Sequence, residues 1–305
     1  MKDNIRNIFD QNILLLKHLD RANYYFRIQQ YDKAIGIVAS SMDQMKEALE
    51  AIIRDRDYFH LVSTDTVTEM LSGILNAQKK RDYILLADLL ELQLISFLCG
   101  VQELIISKEE IVFDEEKYLE NIGLLKTKGI GFPESGLEEI NPSELLKSGY
   151  RVEFTSTGLM TLAAGHAGSE YYFYTNCRIY SEAIQLAGSW VCKGTGSYVV
   201  YGFGLGYHVE ELLELAEESA VEVFEADLNV IKLACAFQEV KELFSNERLK
   251  LIYDPGFLSL RERLGRLEEG ETFRLHYPSF QNIRSAEARE MMESYIPWSK
   301  QMESC

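Results

Sequence analysis

From Ser197 onward the sequence repeats one arrangement four times: a short run of β-branched and aromatic residues, then a stretch with helical spacing. The runs are Ser197-Tyr-Val-Val-Tyr201, Val221-Glu-Val-Phe-Glu225, Leu249-Lys-Leu-Ile-Tyr253 and Thr272-Phe-Arg-Leu-His-Tyr277. Helices are expected at residues 207–218, at 228–237 with 239–244 continuing it, at 258–267 and at 285–295. Strands joined through helices of roughly 10–15 residues pair in parallel with right-handed crossovers, so this region predicts a Rossmann-like parallel sheet flanked by helices.

Upstream the period is different. From residue 4 to about 126 apolar residues recur at three- and four-residue spacing, which predicts a helical bundle. Its first helix carries Ile5, Ile8, Phe9, Leu15, Leu16, Leu19 and Tyr24, and the second starts after Tyr31 with Asp32 as cap and runs to Ile52. The third opens on the capping-box signature Thr66-Val-Thr-Glu69, the fourth runs from Ile84 to Ile106, and a fifth occupies residues 115–126. The related phrases around Tyr31 and Tyr83 number two, below the three copies that a superhelical array needs.

Glycine and proline then concentrate between Gly129 and Gly149, where Asn141-Pro-Ser-Glu144 reads as a turn into a short helix. Alternation at residues 150–154, 159–164 and 171–174 predicts a small β meander, and Gly188 is expected to close a helix that begins near Ser181. The expected organisation is therefore α + α/β: a helical bundle over 1–128, a linker over 129–149, and a β meander plus Rossmann-like domain over 150–305.

Charge narrows the partners. With 48 Asp and Glu against 31 Lys and Arg the formal net charge is −17, which opposes general binding to nucleic acid or an anionic membrane surface. The five cysteines stand at long, irregular spacings without a C-x-x-C pair, and no H-x-x-x-H or H-E-x-x-H occurs, so no metal site is proposed and the thiols read as free in a reducing compartment. The N-terminal residues lack the basic and apolar segments of a secretory signal, and the most apolar run, from Tyr83 to Ile106, is broken by Asp88, Glu91 and Gln93. A cytoplasmic protein without membrane insertion is expected.

The chemistry-bearing feature is the turn Gly202-Phe-Gly-Leu-Gly206 between the first strand and its helix. Three missing Cβ atoms let main-chain N–H groups approach a ligand at a helix N-terminus. Glu225 ends the next strand 19 residues after Gly206, close to the separation at which an acid holds a ribose diol. Asp254 ends the third strand in the analogous position, and His208 and His276 lie near the same carboxyl edge. The candidate cofactor-binding set is thus Gly202, Phe203, Gly204, Leu205, Gly206, Tyr207, His208, Glu225, Asp254 and His276. Eight acidic residues and no Lys or Arg lie between Val209 and Ile231, which disfavours a pyrophosphate and favours a nucleoside ligand with a cationic centre, such as S-adenosylmethionine. No G-x-S-x-G elbow and no G-x-x-x-x-G-K-[ST] loop is present, which excludes those hydrolase and NTPase classes.

The turn and the strand spacing resemble the nucleoside-binding half of class I methyltransferases, although Val200 stands where those enzymes carry an acid and four parallel strands stand where they have seven. Residues 150–237 resemble the N-terminal region of the motility accessory factor family, bacterial flagellin glycosyltransferases that attach nonulosonic acids. The resemblance is carried by Gly158-Leu-Met-Thr-Leu162, Tyr174-Thr-Asn-Cys-Arg-Ile-Tyr-Ser-Glu-Ala183, Val200-Tyr-Gly-Phe-Gly-Leu-Gly-Tyr-His208 and Val223-Phe-Glu225. In that family the transferase chemistry lies in a central domain that opens on a Gly-Pro-Ser-Leu type turn, and no such turn occurs here. The resemblance implies an accessory or binding module, either a stand-alone relative or the front part of a longer protein. Its helical domain would meet a partner protein such as a glycosyltransferase or a flagellin-like substrate. The alternative is an S-adenosylmethionine-dependent enzyme.

Overall fold

The structure is a computed structural model that describes residues 3–60, 63–109, 114–140, 149–166 and 169–295. The expected turn and short helix at residues 141–148 lie outside the described residues. The chain forms two compact units, each assembled from separate stretches: the first from Met1–Val112, Phe154–Met160 and Thr175–Gln185, the second from Phe113–Glu153, Thr161–Tyr174 and Leu186–Cys305.

The first unit is helical: α1 (Asp3–Arg27), α2 (Tyr31–Ser40), α3 (Met42–Arg54), α4 (Thr64–Lys80), α5 (Tyr83–Leu89), a π-helical segment (Leu90–Ile95) and α6 (Ser96–Lys108), with α8 (Ile179–Trp190) beginning in its last stretch. The long second helix expected from the periodicity is two. At Ser41 the hydroxyl donates to Ile37 O (2.8 Å), and this back-bonding accompanies the break between α2 and α3. Helix α4 starts two residues before the expected capping box, because Ser63 already adopts the extended cap conformation and leaves Thr66 and Glu69 inside the helix. Likewise Gly188 lies within α8, which continues to the buried Trp190.

Helices α5 and α6 and the π segment form one continuous rod, Tyr83–Lys108, long and apolar enough to cross a membrane by length and composition. Part of its apolar character has a local cause, since Leu86, Leu90, Leu94, Leu98, Val101 and Ile105 are buried in the unit's core, while Ile84, Leu85 and Leu92 are exposed. The rod also carries Glu91, to which Arg27 Nη2 (2.7 Å), Asn23 Nδ2 (2.9 Å) and Arg178 Nη1 (2.8 Å) all donate. Burial raises the Glu91 carboxyl, but these three donors outweigh it and hold it at about 2. Arg178 Nε also donates to Asp20 Oδ1 (3.1 Å), whose side chain is fully buried. Burial raises the Asp20 carboxyl above its usual range and Arg178 opposes that rise.

A second polar contact ties the late segments to the helices of this unit. Buried Gln102 donates to Phe9 O (3.0 Å) and Thr157 O (3.3 Å) and accepts from Asn12 Nδ2 (3.3 Å). Gly158 follows at φ +88, and a Cβ there would stand 2.6 Å from Gln102 Nε2.

The second unit holds α7 (Glu115–Lys128), a three-stranded sheet of β1 (Tyr150–Phe154), β2 (Met160–His166) and β3 (Ser169–Tyr172), and a four-stranded parallel sheet. The parallel strands are β4 (Ser197–Tyr201), β5 (Ala220–Glu225), β6 (Leu249–Tyr253) and β7 (Glu271–Leu275), in the order β6-β5-β4-β7. They alternate with α9 (Tyr207–Leu215), α10 (Leu228–Phe237), α11 (Lys241–Ser245), α12 (Leu258–Leu264), α13 (Tyr277–Gln281) and α14 (Ala286–Glu293). The meander and the parallel sheet thus fall where alternation and strand–helix spacing place them. Helix α7 belongs to this unit rather than to the bundle: Asn121 Nδ2 donates to Cys235 O (2.8 Å) and Gln238 O (3.1 Å) at the end of α10. The composition shift at Gly129 therefore falls inside the second unit. One sheet face packs Val199, Tyr201 and Phe224 against Leu260, Leu264, Phe280 and Met292.

Arg178→Ala leaves the buried Asp20 carboxyl without its cation, a change that costs about 3–5 kcal/mol for a buried pair. Urea denaturation is expected to show that loss in the Arg178→Ala protein, and the double variant Asp20→Asn, Arg178→Met is expected to recover most of it.

Candidate functional site

In a sheet of order β6-β5-β4-β7 the connections run in opposite directions on either side of β4, so the topological switch point lies between the carboxyl ends of β4 and β7. Open α/β sheets bind ligands in the crevice at that point. The glycine turn leaves β4 there and His276 leaves β7 there, with its backbone N–H donating to Tyr201 O at 2.9 Å. His276 lies just past the end of β7, at the N-cap position of α13 and two residues before Pro278, rather than within the strand.

The turn has the conformation that its glycines permit. Gly202, Gly204 and Gly206 adopt φ of +99, +54 and +89, and Gly206 is the N-cap of α9. Residues 202–209 are all buried. A Cβ on Gly202 would lie 2.4 Å from Ser279 Cβ and 2.9 Å from His276 Cβ, and one on Gly204 would lie 3.0 Å from Tyr174 Oη and 3.1 Å from His276 Cε1. The side chains that face this turn are the protein's own.

They form a connected set. Tyr174, just past β3, donates its phenol to His208 Nδ1 at 2.6 Å, and His208 Nε2 donates to Gly202 O at 3.1 Å. Because a carbonyl only accepts, this arrangement fixes His208 as the neutral Nε2–H tautomer. His208 and His276 stack with centroids 4.3 Å apart and planes 11° apart, and His276 Nδ1 pairs with Ser279 Oγ at 2.8 Å. Trp190 packs edge-on against His208, and Phe173 and Tyr174 both contact His276. Burial pushes the His208 imidazole down to about 3, with the Gly202 hydrogen bond opposing; burial and the neighbouring His208 hold His276 well below its ordinary value.

Glu225 sits at the end of β5, beside the turn as the spacing implies. Its oxygens already accept three backbone donors: Phe203 N to Oε2 (2.9 Å), and Ala226 N (2.9 Å) and Asp227 N (3.0 Å) to Oε1. Burial raises this carboxyl to about 7, the Asp227 charge adds to the rise, and the three amides oppose it. Asp254, at the end of β6, caps α12 by accepting from Leu258 N (3.1 Å) and Leu260 N (2.8 Å). Phe203, Leu205 and Tyr207 are core residues; the Tyr207 hydroxyl accepts from Gln238 Nε2.

Four residues outside the sequence-derived set also gather at this edge. The Tyr150 phenol donates to Asp227 Oδ2 at 2.5 Å, Asn282 Nδ2 donates to the Tyr150 hydroxyl and to Asp227 Oδ2 (3.3 Å), and the Tyr171 phenol donates to Asn282 Oδ1 (3.2 Å). Asp227 is recognisable in the sequence as the cap of α10, where it accepts from Asn229 N. Tyr150, Tyr174, Ser279 and Asn282 converge from distant segments, and no local pattern marks them.

The acids that flank the turn divide by exposure. Glu214, Glu217 and Glu218 face solvent, whereas Glu211 and Glu225 are buried. A groove of about 140 Å³ lies along Glu210, Glu214, Glu242 and Asn246, with Arg248 capping the carbonyls of Leu213 and Ala216 at the end of α9. Among the described residues no group of three or more His, Cys, Asp or Glu side chains is placed to hold a metal ion.

Comparison with protein-family models, with curated proteins and with solved structures returned no match.

Gly202→Ala is expected to cost about 2–5 kcal/mol, from positive-φ strain of about 1–2 kcal/mol and overpacking against Ser279 of about 1–3 kcal/mol. Adding Ser279→Gly should return the overpacking share while leaving the strain, and chemical denaturation of the two variants separates these components.

Proposed function

We propose that the chain is an accessory or binding module related to bacterial protein glycosylation, in which a nucleoside-type turn is kept as a structural element. The observation that carries this reading is the filled switch point: Tyr174, His276 and Ser279 stand against the glycines that would face a ligand. Glu225 supports it, since its carboxylate accepts backbone amides where a ribose diol would have to bind. The setting in protein glycosylation rests on the resemblance of residues 150–237 to the accessory region of flagellin glycosyltransferases. On this reading the helical first unit carries the partner contact, with a glycosyltransferase or a flagellin-like protein as the partner class.

An S-adenosylmethionine-dependent enzyme is the second reading, favoured by the position of Glu225 beside the turn on the neighbouring strand. It requires Tyr174 to leave the turn and Glu225 to exchange its amide donors for ribose hydroxyls.

Calorimetric titration separates the two. The accessory reading expects no heat with S-adenosylhomocysteine up to roughly millimolar concentration, and capture of a glycosyltransferase or its acceptor protein from a producing cell. Micromolar binding that Glu225→Ala removes would establish the enzyme reading instead.

A further inference from the structure

We infer that Tyr174, His208, His276 and Ser279 form an acid-released closure of the switch-point crevice: while both imidazoles are neutral Tyr174 is held over the glycine turn, and protonation of either one frees it and uncovers residues 202–206. Nothing in this depends on which partner the module binds.

The geometry gives the closure its sensitivity. Both imidazoles are essentially without solvent exposure, and they stack face to face at 4.3 Å, so a charge on either is desolvated and a second charge is repelled. In its neutral form His208 accepts the Tyr174 phenol at Nδ1 and donates to Gly202 O from Nε2. Protonation at Nδ1 reverses the Tyr174 bond, the phenol oxygen becoming the acceptor; what opens the closure is the charge itself, which is desolvated beneath Tyr174 and gains water when Tyr174 moves away. The Ser279 hydroxyl reverses its bond to His276 Nδ1 in the same way, so a charge on His276 acts on the closure through its burial and its stacking on His208.

The surroundings of the pair contain few charges that could stabilise an imidazolium. The meander side contributes Phe173 and Tyr174, α8 contributes Trp190, α13 contributes Ser279, and β4 contributes the Gly202 carbonyl. The neighbouring acids are Glu211, buried one turn further along α9, and Glu225, which reaches the turn through Phe203 N–H.

The direction with pH follows from linkage. An exposed imidazole titrates near about 6.5, and each buried one binds its proton only at lower pH, so the open form binds more protons below about 6.5. The closed form is fully favoured above that pH and loses ground as pH falls. Each imidazole contributes up to about tenfold per pH unit to the opening constant. Glu225 works the other way, because its raised carboxyl takes up a proton in the closed form over the range from about 4.5 to about 7. With two imidazoles against one carboxyl, the opening constant should rise about tenfold per pH unit from 6.5 down to 4.5.

Hydrogen exchange of the full chain, corrected for intrinsic rates, tests this by comparing amides of residues 202–212 with those of the β5 core between pH 7.5 and 5. The expected result is that protection of the turn falls about tenfold per pH unit below 6.5 while β5 stays protected. His208→Gln and His276→Gln should each flatten that slope. If the histidine variants fail to fold, Tyr174→Phe serves: it keeps the ring, removes the phenol proton, and should raise turn exchange at pH 7.5. A turn whose protection does not change with pH, equal loss of protection in the turn and β5, or a Tyr174→Phe protein that exchanges like the parent would overturn the inference.

Discussion

The carboxyl ends of β4 and β7 approach so closely that the residue leaving β4 can have no side chain. Gly202 would place a Cβ within 2.4 Å of Ser279, and most of what is distinctive about the second unit follows from that contact. It brings His276 over the turn, gives His208 a ring to stack on, and leaves room for Tyr174 against Gly204. A crevice that in related architectures is kept open for a ligand is here occupied by a polar core assembled from β3, β4, β7 and α9. Buried polar groups are tolerable only when they are mutually satisfied, and the neutral His208 tautomer, paired at both nitrogens, meets that condition.

The fold was legible where the sequence is periodic. Four strand-then-helix arrangements fixed the parallel sheet, and alternation fixed the meander, because both patterns record which side chains face a core. The misplaced boundaries have local chemical causes: a serine hydroxyl returning to the backbone at Ser41, a cap taken by Ser63 ahead of Thr66, and a helix carried past Gly188 by the burial of Trp190. The membership of α7 depends on Asn121 reaching carbonyls more than a hundred residues away, which no local pattern records.

The site was half legible. Glycines with positive φ after a strand and an acid at the end of the next strand follow from backbone geometry, and Gly202, Gly204, Gly206 and Glu225 lie where that reasoning puts them. What surrounds them was not readable. Tyr174, Ser279 and Asn282 come from other segments, and spacing along the chain carries no information about which side chain fills a space between strands. The same holds for Glu225: its position follows from the spacing, but its three amide partners depend on the path of the loop it ends.

The discontinuous first unit has a consequence in time as well as in space. Arg178 and Asp20 are separated by 158 positions, and the carboxyl needs that guanidinium because it is fully buried. During synthesis the first helices leave the ribosome long before residues 154–160 and 175–185 exist, so Asp20 lacks Arg178 and Gln102 lacks the Thr157 carbonyl until those segments are made. The N-terminal unit is therefore the one begun first and completed late, and a nascent chain of this sequence must hold a half-built helical core until Arg178 emerges.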